Sequence, residues 1–302
     1  LLLSICLLDT LMYIILHEVV SNSLIIKKCQ ICGKYFIPNK SNEIYCEFLN
    51  EENMYLVLKK LSSVLHCKVI RLLGGEPTLN SNLENIVSKI KEIGISDEIS
   101  IPTNGILISK LSENILNNID IVEISNYNYN EKISKNLIEW AKKNKDKVTT
   151  YIYLYDYFRE PFSYHKNANK QLVDDIYKTC IISQKWQCFN VYGEYFYKCP
   201  QSLAICKNIE NCSFDKNGIK ILGNQNLEEE LEKYINSTSP LQACDYCLGT
   251  VGKKFKIMQV SKEKYKKEAE KNIEEMLDKE FLKQSLEEDV GDMFTVGKVL
   301  KF

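Results

Sequence analysis

The feature that most constrains the fold is a repeated alternation of short apolar runs and helix-period segments between residues 52 and 179. Residues 52–66 read as a helix, and KVIRLL (68–73) as a strand that runs into Gly74-Gly75. Leu83, Ile86, Val87, Ile90 and Ile93 then recur at helical spacing. Ser81 and Glu84 make a capping-box pattern ahead of them, and Gly94 suits a left-handed stop. Ile99 and Ile101 belong to a strand that ends at Pro102-Thr103-Asn104-Gly105, and Leu111, Ile115 and Ile119 mark the next helix. IVEIS (121–125) is a further strand, followed by a helix with Ile133, Leu137, Trp140 and Ala141 on one face. VTTYIYLYDYF (148–158) is β-rich and ends at Arg159, where a carboxylate partner or an ordinary surface ion pair would suit the guanidinium; a helix over 168–179 follows. Strands alternating with helices pair in parallel through right-handed crossovers. The predicted class is therefore α/β, a partial (β/α) barrel with four strands, too few for a closed eight-stranded one.

Three further units flank this region, dividing the chain into 1–49, 50–179, 180–260 and 261–302. The opening LLLSICLLDTLMYIILHEVV is about long enough to span a bilayer, yet Asp9 sits in its middle and no basic residue precedes it. It reads as a buried apolar helix packed on the cysteine-bearing segment that follows, and a membrane segment is disfavoured. After Cys180 the alternation stops. QCFNVYGEYFYKCP (187–200) reads as a hairpin turning at Gly193, with a strand at 219–222, a helix at 226–236 and PLQACDYCLG beyond. In the last forty residues Tyr265, Ala269, Ile273, Met276 and Leu277 trace a docking stripe on a charged helix-period segment.

Charge is balanced, 39 basic against 40 acidic residues, which argues against a surface built for nucleic-acid phosphates. Twelve cysteines are more telling. Close Cys-x-x-Cys pairs in a chain of this size, with no signal-peptide pattern, point to metal or iron–sulfur ligation in a reducing cytoplasm rather than to a disulfide framework. His17, His66 and His165 lie far apart, and no nucleophile elbow accompanies them, so a serine-hydrolase triad is excluded.

Ligands of open α/β sheets bind beyond the carboxyl ends of the strands. Three such ends carry distinctive residues: Gly74-Gly75-Glu76-Pro77, Thr103-Asn104-Gly105, and Ser125 with Asn126-Tyr127. Paired glycines let a ligand approach the backbone, Glu76 could meet an ammonium group, and Thr103 and Asn104 suit ribose or carboxylate. An open rim around residues 74–76 is the expectation. Taken in order, VIRLLGGEPTL, ISIPTNGIL and VEISNY resemble the radical SAM superfamily over roughly 50–260. The resemblance implies that Gly74, Gly75 and Glu76, with Pro77, hold the methionine moiety of S-adenosylmethionine (SAM). It places Thr103, Asn104 and Ser125 near the rest of the cofactor. It also implies a [4Fe–4S] cluster that drives hydrogen abstraction from a substrate.

The sequence departs from that family at one place. The Cys-x-x-x-Cys-x-x-Cys run that holds the primary cluster is absent. Cys29-x-x-Cys32 is the nearest match, but Ile25 stands where a first ligand belongs, and Cys46 follows in the wrong order. CQICGKYFIP and Tyr45-Cys46 instead resemble a zinc knuckle, with Cys67 or His66 as candidate fourth ligands, standing where the first barrel strand should be. The later cysteines resemble a SPASM or twitch extension. Cys188, Gly193 and Cys199 match its hairpin, Cys244-x-x-Cys247 its returning pair, and Cys180, Cys206 and Cys212 are further candidates. One auxiliary cluster fits better than two. The implied function is radical modification of a peptide, sugar or small metabolite, with a reductant protein as partner. The alternative is a non-catalytic zinc-binding or interaction protein on a degenerate scaffold of the same kind.

Overall fold

The computed structural model describes residues 13–16, 51–73, 76–126, 135–154, 157–256, 270–288 and 298–302. Its centre is the expected alternation. Helix α1 (Glu51–Ser62) leads to β2 (Cys67–Leu72), α2 (Leu83–Ile93) to β3 (Ser96–Thr103), α3 (Glu113–Leu116) to β4 (Ile121–Asn126), and α4 (Lys135–Asn144) to β5 (Thr149–Leu154). Each strand pairs in parallel with the next, in the register Ile70↔Ile99, Ile101↔Val122 and Ile124↔Ile152. The architecture is an α/β partial barrel.

Side-chain parity explains why this sheet has two unlike faces. Ile70, Leu72, Ile99, Ile101, Val122, Ile124 and Ile152 point to the helices and form one core with Leu58, Leu61, Ile86, Val87, Ile90 and Leu137. The alternate positions Arg71, Ser100 and Glu123 point the other way, and they are polar. Gly94 ends α2 in the left-handed conformation, as expected. The capping box does not form: α2 starts at Asn82 without a side-chain cap, and the Glu84 carboxylate accepts from Ser112 Oγ at 3.0 Å and from Asn114 Nδ2.

Two parts of the fold differ from expectation. Tyr13–Leu16 is not helical but a strand, β1, parallel to β2 on one side (Ile15↔Arg71) and to β7 (Cys188–Tyr192) on the other (Ile15↔Asn190). The apolar opening thus supplies the first barrel strand that seemed displaced. The hairpin of β7 and β8 (Tyr195–Tyr197), with β9 (Gly218–Lys220) beside it, continues the main sheet instead of standing apart. Phe189, Val191 and Phe196 extend the helix-side core.

The remaining elements close the edges. β11 (Lys298–Lys301) runs antiparallel to β5, an element the sequence reading did not anticipate. Tyr265 and Ala269 of the expected stripe lie outside the described residues, while the short helix Ile273–Met276 and the helix Lys279–Glu287 pack Ile273, Met276, Leu277 and Leu282 on Ile176, Leu248 and Val251. Arg159 fastens them: Nη1 donates to Gly252 O at 2.8 Å and to Asp278 Oδ2 at 3.1 Å, and the guanidinium lies 4.0 Å from the Phe281 ring centre. Its side chain is 6% exposed, so this is a buried clasp rather than a surface pair. No helix among the described residues is long and apolar enough to cross a membrane.

Candidate cofactor and substrate site

Glu76 caps a short 3-10 turn, Pro77–Leu79, directly after β2. Its carboxylate is buried, yet its contacts turn it toward the neighbouring strand end. Oε1 accepts from Thr78 N at 3.3 Å, Thr78 Oγ1 at 2.8 Å and Thr103 Oγ1 at 2.6 Å. Oε2 accepts from Asn104 N at 2.8 Å. A carboxylate offers about four acceptor positions, two on each oxygen, so Oε2 keeps one to spare among the described residues. Glu76 is thus a staple that joins the ends of β2 and β3, with three donors on Oε1 and one on Oε2 among the described residues; the opening expected at Gly74-Gly75 lies outside them.

The Thr-Asn-Gly segment is shaped by the same staple. Thr103 Oγ1 accepts from Gly105 N at 3.1 Å, and Asn104 Oδ1 from Ile106 N at 2.8 Å. Gly105 adopts φ +76°, and a Cβ there would stand 2.9 Å from Ile124 Cγ2 and 3.0 Å from Leu137 Cδ2. Glycine is thus demanded both by the backbone and by the helix-side core. Asn104 stays half-buried at the rim. Ser125, also half-buried, lies opposite Tyr153 on the concave face. Gly74 and Gly75 lie outside the described residues, as do Cys29, Cys32 and Cys46. Of the candidate fourth zinc ligands, Cys67 packs in the helix-side core, and exposed His66 pairs with Asp97 at 2.9 Å.

The concave face was not singled out from the sequence, and it carries the other notable chemistry. Arg71 Nε donates to Glu123 Oε1 at 2.6 Å, and Ser100 Oγ donates to the same oxygen at 2.6 Å. The sequence did hold a signal, since a polar residue interrupts each of these apolar strands at the alternate position. Two strands away, Asn190 is fully buried, and both its amide atoms lack a hydrogen-bond partner among the described residues. Such a group costs stability unless a ligand or water completes it. Asn190→Leu, nearly isosteric and apolar, is therefore expected to raise Tm by about 2–4 °C in differential scanning calorimetry. A lowered Tm would show that the amide is satisfied in solution.

The cysteines gather beside this face. Leu73, the residue before the two glycines, packs with Cys180, Cys188 and Cys199. Cys180 lies between α5 (Lys170–Lys178) and the short helix α6 (Ile181–Gln184), Cys199 caps α7 (Pro200–Asn208), Cys244 sits inside the turn Gln242–Asp245, and Cys247 follows that turn by two residues. Burial raises every one of these thiols, Cys180 to about 12. After burial, Cys247 feels Cys244 first and then Cys180 and Cys199, and Cys244 feels Cys199 and Cys180. Among the described residues no three metal-ligating side chains meet at a common point, and Cys247 Sγ instead accepts from Gly249 N at 3.2 Å and donates to Gln201 Oε1 at 3.3 Å. The group is assembled but not drawn tight.

Cys188 packs with Cys180 and Cys199 and also feels the Arg71–Glu123 pair. Burial pushes its thiol to about 12, against the pull of Arg71, while Cys199 and Glu123 act in the direction of burial. The native state thus holds this proton well above the ordinary 9.0, whereas the unfolded chain releases it near that value. Its stabilising contribution is complete below pH 9.0 and is lost as pH rises toward 12. Unfolding followed from pH 7 to 11 is expected to show Tm falling from about pH 9 upward, less steeply in Cys188→Ala. Equal slopes in the two proteins would remove Cys188 from the account.

No family model matches the chain. Over 94 residues it is 30% identical to the GTP 3′,8-cyclase of Crocosphaera subtropica, covering 30% of this chain and 28% of that protein. Over 69 residues it is 41% identical to a probable GTP 3′,8-cyclase of Sulfolobus acidocaldarius, covering 22% of each. The chain thus matches less than a third of either relative's length. A crystal structure of BtrN in complex with AdoMet and 2-DOIA is 17% identical, with a TM-score of 0.42 over 80% of this chain and 94% of that one.

Proposed function

We propose that this chain is a radical SAM protein that binds S-adenosylmethionine at the joined ends of β2 and β3 and one auxiliary [4Fe–4S] cluster beside them. The similarity to GTP 3′,8-cyclases supports the superfamily resemblance carried by Gly74–Pro77 and Thr103–Gly105. The observation that carries the proposal is the Glu76 staple, whose remaining acceptor position on Oε2 fits one N–H of an ammonium group. Asn104 and Ser125, half-buried at the same rim, would orient the nucleoside, with Gly74, Gly75 and Pro77 shaping the approach.

Cys180, Cys199, Cys244 and Cys247 would hold the auxiliary cluster, since three buried thiols and one half-buried thiol supply the four-thiolate donor set such a cluster needs. Cys188 is then a packed thiol rather than a ligand. Cys29, Cys32 and Cys46 are assigned to zinc. When bound, SAM and a reduced iron–sulfur cluster together supply hydrogen-abstraction chemistry. The chain's own part is to fix the cofactor at Glu76, present the substrate to the concave face at Arg71, Ser100 and Glu123, and keep water from both. A neutral ion pair on that face suits an uncharged polar substrate of the sugar or small-metabolite class over an anionic one.

The test is anaerobic reconstitution with iron and sulfide, then reduction in the presence of SAM. SAM binding is expected, and release of 5′-deoxyadenosine would show that a cluster with an open iron also forms, which Cys180, Cys199, Cys244 and Cys247 do not supply when all four are ligands. SAM binding without cleavage would favour the non-catalytic alternative, which the absent Cys-x-x-x-Cys-x-x-Cys run supports. Failure to bind SAM would end the proposal.

A further inference from the structure

Two buried cysteines are left unused by that site. Cys206 lies in the last turns of α7 and Cys212 in the turn that follows, and their Sγ atoms are 3.3 Å apart. They share an apolar cluster with Phe162, Ile205, Ile209, Tyr246 and Cys247, the last one of the four thiols assigned to the cluster. Apart from each other, their hydrogen-bond partners are not metal ligands. Cys206 Sγ faces Ser213 O at 3.5 Å, and Asn217 Nδ2 donates to Cys212 Sγ at 3.3 Å. Asn217 is itself fixed, since its Nδ2 also donates to Ser213 O at 2.8 Å and its Oδ1 accepts from Ala243 N at 2.7 Å. Cys212 therefore sits in a rigid frame with a donor aimed at its sulfur, and the sulfur nearest to it is that of Cys206.

We infer that Cys206 and Cys212 form a dithiol that closes to an intramolecular disulfide, a modification site separate from the cluster-binding cysteines. The separation need shrink only from 3.3 Å to about 2 Å, within the reach of side-chain rotation when the sulfurs already face one another. The hydrogen bond from Cys206 and then the donor on Asn217 make Cys212 the attacking sulfur, against burial and the Asp245 carboxylate. The oxidant is a low-molecular-weight disulfide such as oxidised glutathione. Cys212 thiolate attacks one of its sulfurs and expels the first small thiol. Cys206 thiolate then attacks Cys212 Sγ of the mixed disulfide and expels the second. Two cysteine protons and two electrons leave with the pair of small thiols, so the exchange balances.

Lys198, Lys207 and Lys216 make the site easy to read, because trypsin separates Cys206 (with Cys199, in 199–207) from Cys212 (in 208–216). The full chain is treated with oxidised glutathione without added metal, blocked with N-ethylmaleimide in denaturant and digested. A linked 199–207/208–216 peptide, restored to two separate peptides by reduction, is the expected product. It should persist in Cys199→Ser and vanish in Cys206→Ala. The Cys206→Ala/Cys212→Ala protein, reconstituted with iron and sulfide, should retain the wild-type iron content. Recovery of both cysteines as maleimide adducts or as glutathione adducts would overturn the inference. So would a link that runs through Cys199, or an at least twofold loss of iron in the double variant, which would place the pair among the cluster ligands. Neither readout involves SAM, so the proposed activity can fail while this site stands.

Discussion

Glu76→Ala is expected to weaken SAM binding at least a hundredfold and to cost about 2–4 kcal/mol of stability, because the change removes a charged acceptor that serves several buried donors at once. Thr78 Oγ1, Thr103 Oγ1 and the Asn104 N–H would each lose the partner they have now. The ends of β2 and β3 would then be free to part, and the position set for an ammonium would lose both its charge and its frame. Glu76→Gln separates the two contributions. Its amide oxygen can keep one side of the staple, but its NH2 must confront either the Thr103 hydroxyl or the Asn104 N–H. Stability should fall by about 1–2 kcal/mol while affinity falls nearly as far as in the alanine variant. Isothermal titration with SAM and urea unfolding check both numbers. Undiminished affinity in either variant would remove Glu76 from the cofactor site.

Serine at any one of Cys180, Cys199, Cys244 or Cys247 is expected to take the auxiliary site from about four bound irons to fewer than one, since a cluster of this type is held by its thiolates. Cys188→Ser, by contrast, should leave iron content unchanged. Colorimetric iron and the visible absorption of the reconstituted protein distinguish the outcomes. The contrast has a physical basis in the pressure these thiols are under without metal. Burial raises the four clustered thiols well above the ordinary range, so a free chain must keep them protonated in an apolar setting where each depresses the ionisation of its neighbours. Iron exchanges those protons for a shared positive centre and removes the conflict. Cys188 packs with Cys180 and Cys199 too, but it also feels Arg71 and Glu123, and its position on β7 ties it to the sheet. Equal iron loss from Cys188→Ser would show that the returning hairpin, and not Cys180, supplies the fourth ligand.

The strand ends at Gly74–Pro77 and Thr103–Gly105 were legible because short apolar runs stop there at residues that allow tight turns. Their union through Glu76 was not, since a carboxylate read along the chain has no visible partner 27 residues away. β1 was misread for a plain reason. An unbroken apolar run serves a strand covered on both faces as well as it serves a buried helix, and periodicity cannot separate them. The cysteines showed a second limit. Spacing along the chain offered Cys188 and Cys199 around Gly193, but it could not show that Cys180, at the head of a short helix, packs with both. Arg71, Ser100 and Glu123 were within reach of the sequence. Each sits one residue out of phase with the core positions, and a count of period-two exceptions would have found all three.

β11 has a consequence for how the molecule behaves in company. A sheet whose outermost member was β5 would offer six residues of unsatisfied backbone, several of them tyrosines, as a template on which other polypeptides could polymerise. The strand that covers it is only four residues long and is bracketed by Lys298 and Lys301. Positive charge at both ends of so short a border repels a second copy laid alongside, so the same segment that completes the sheet also keeps it from growing.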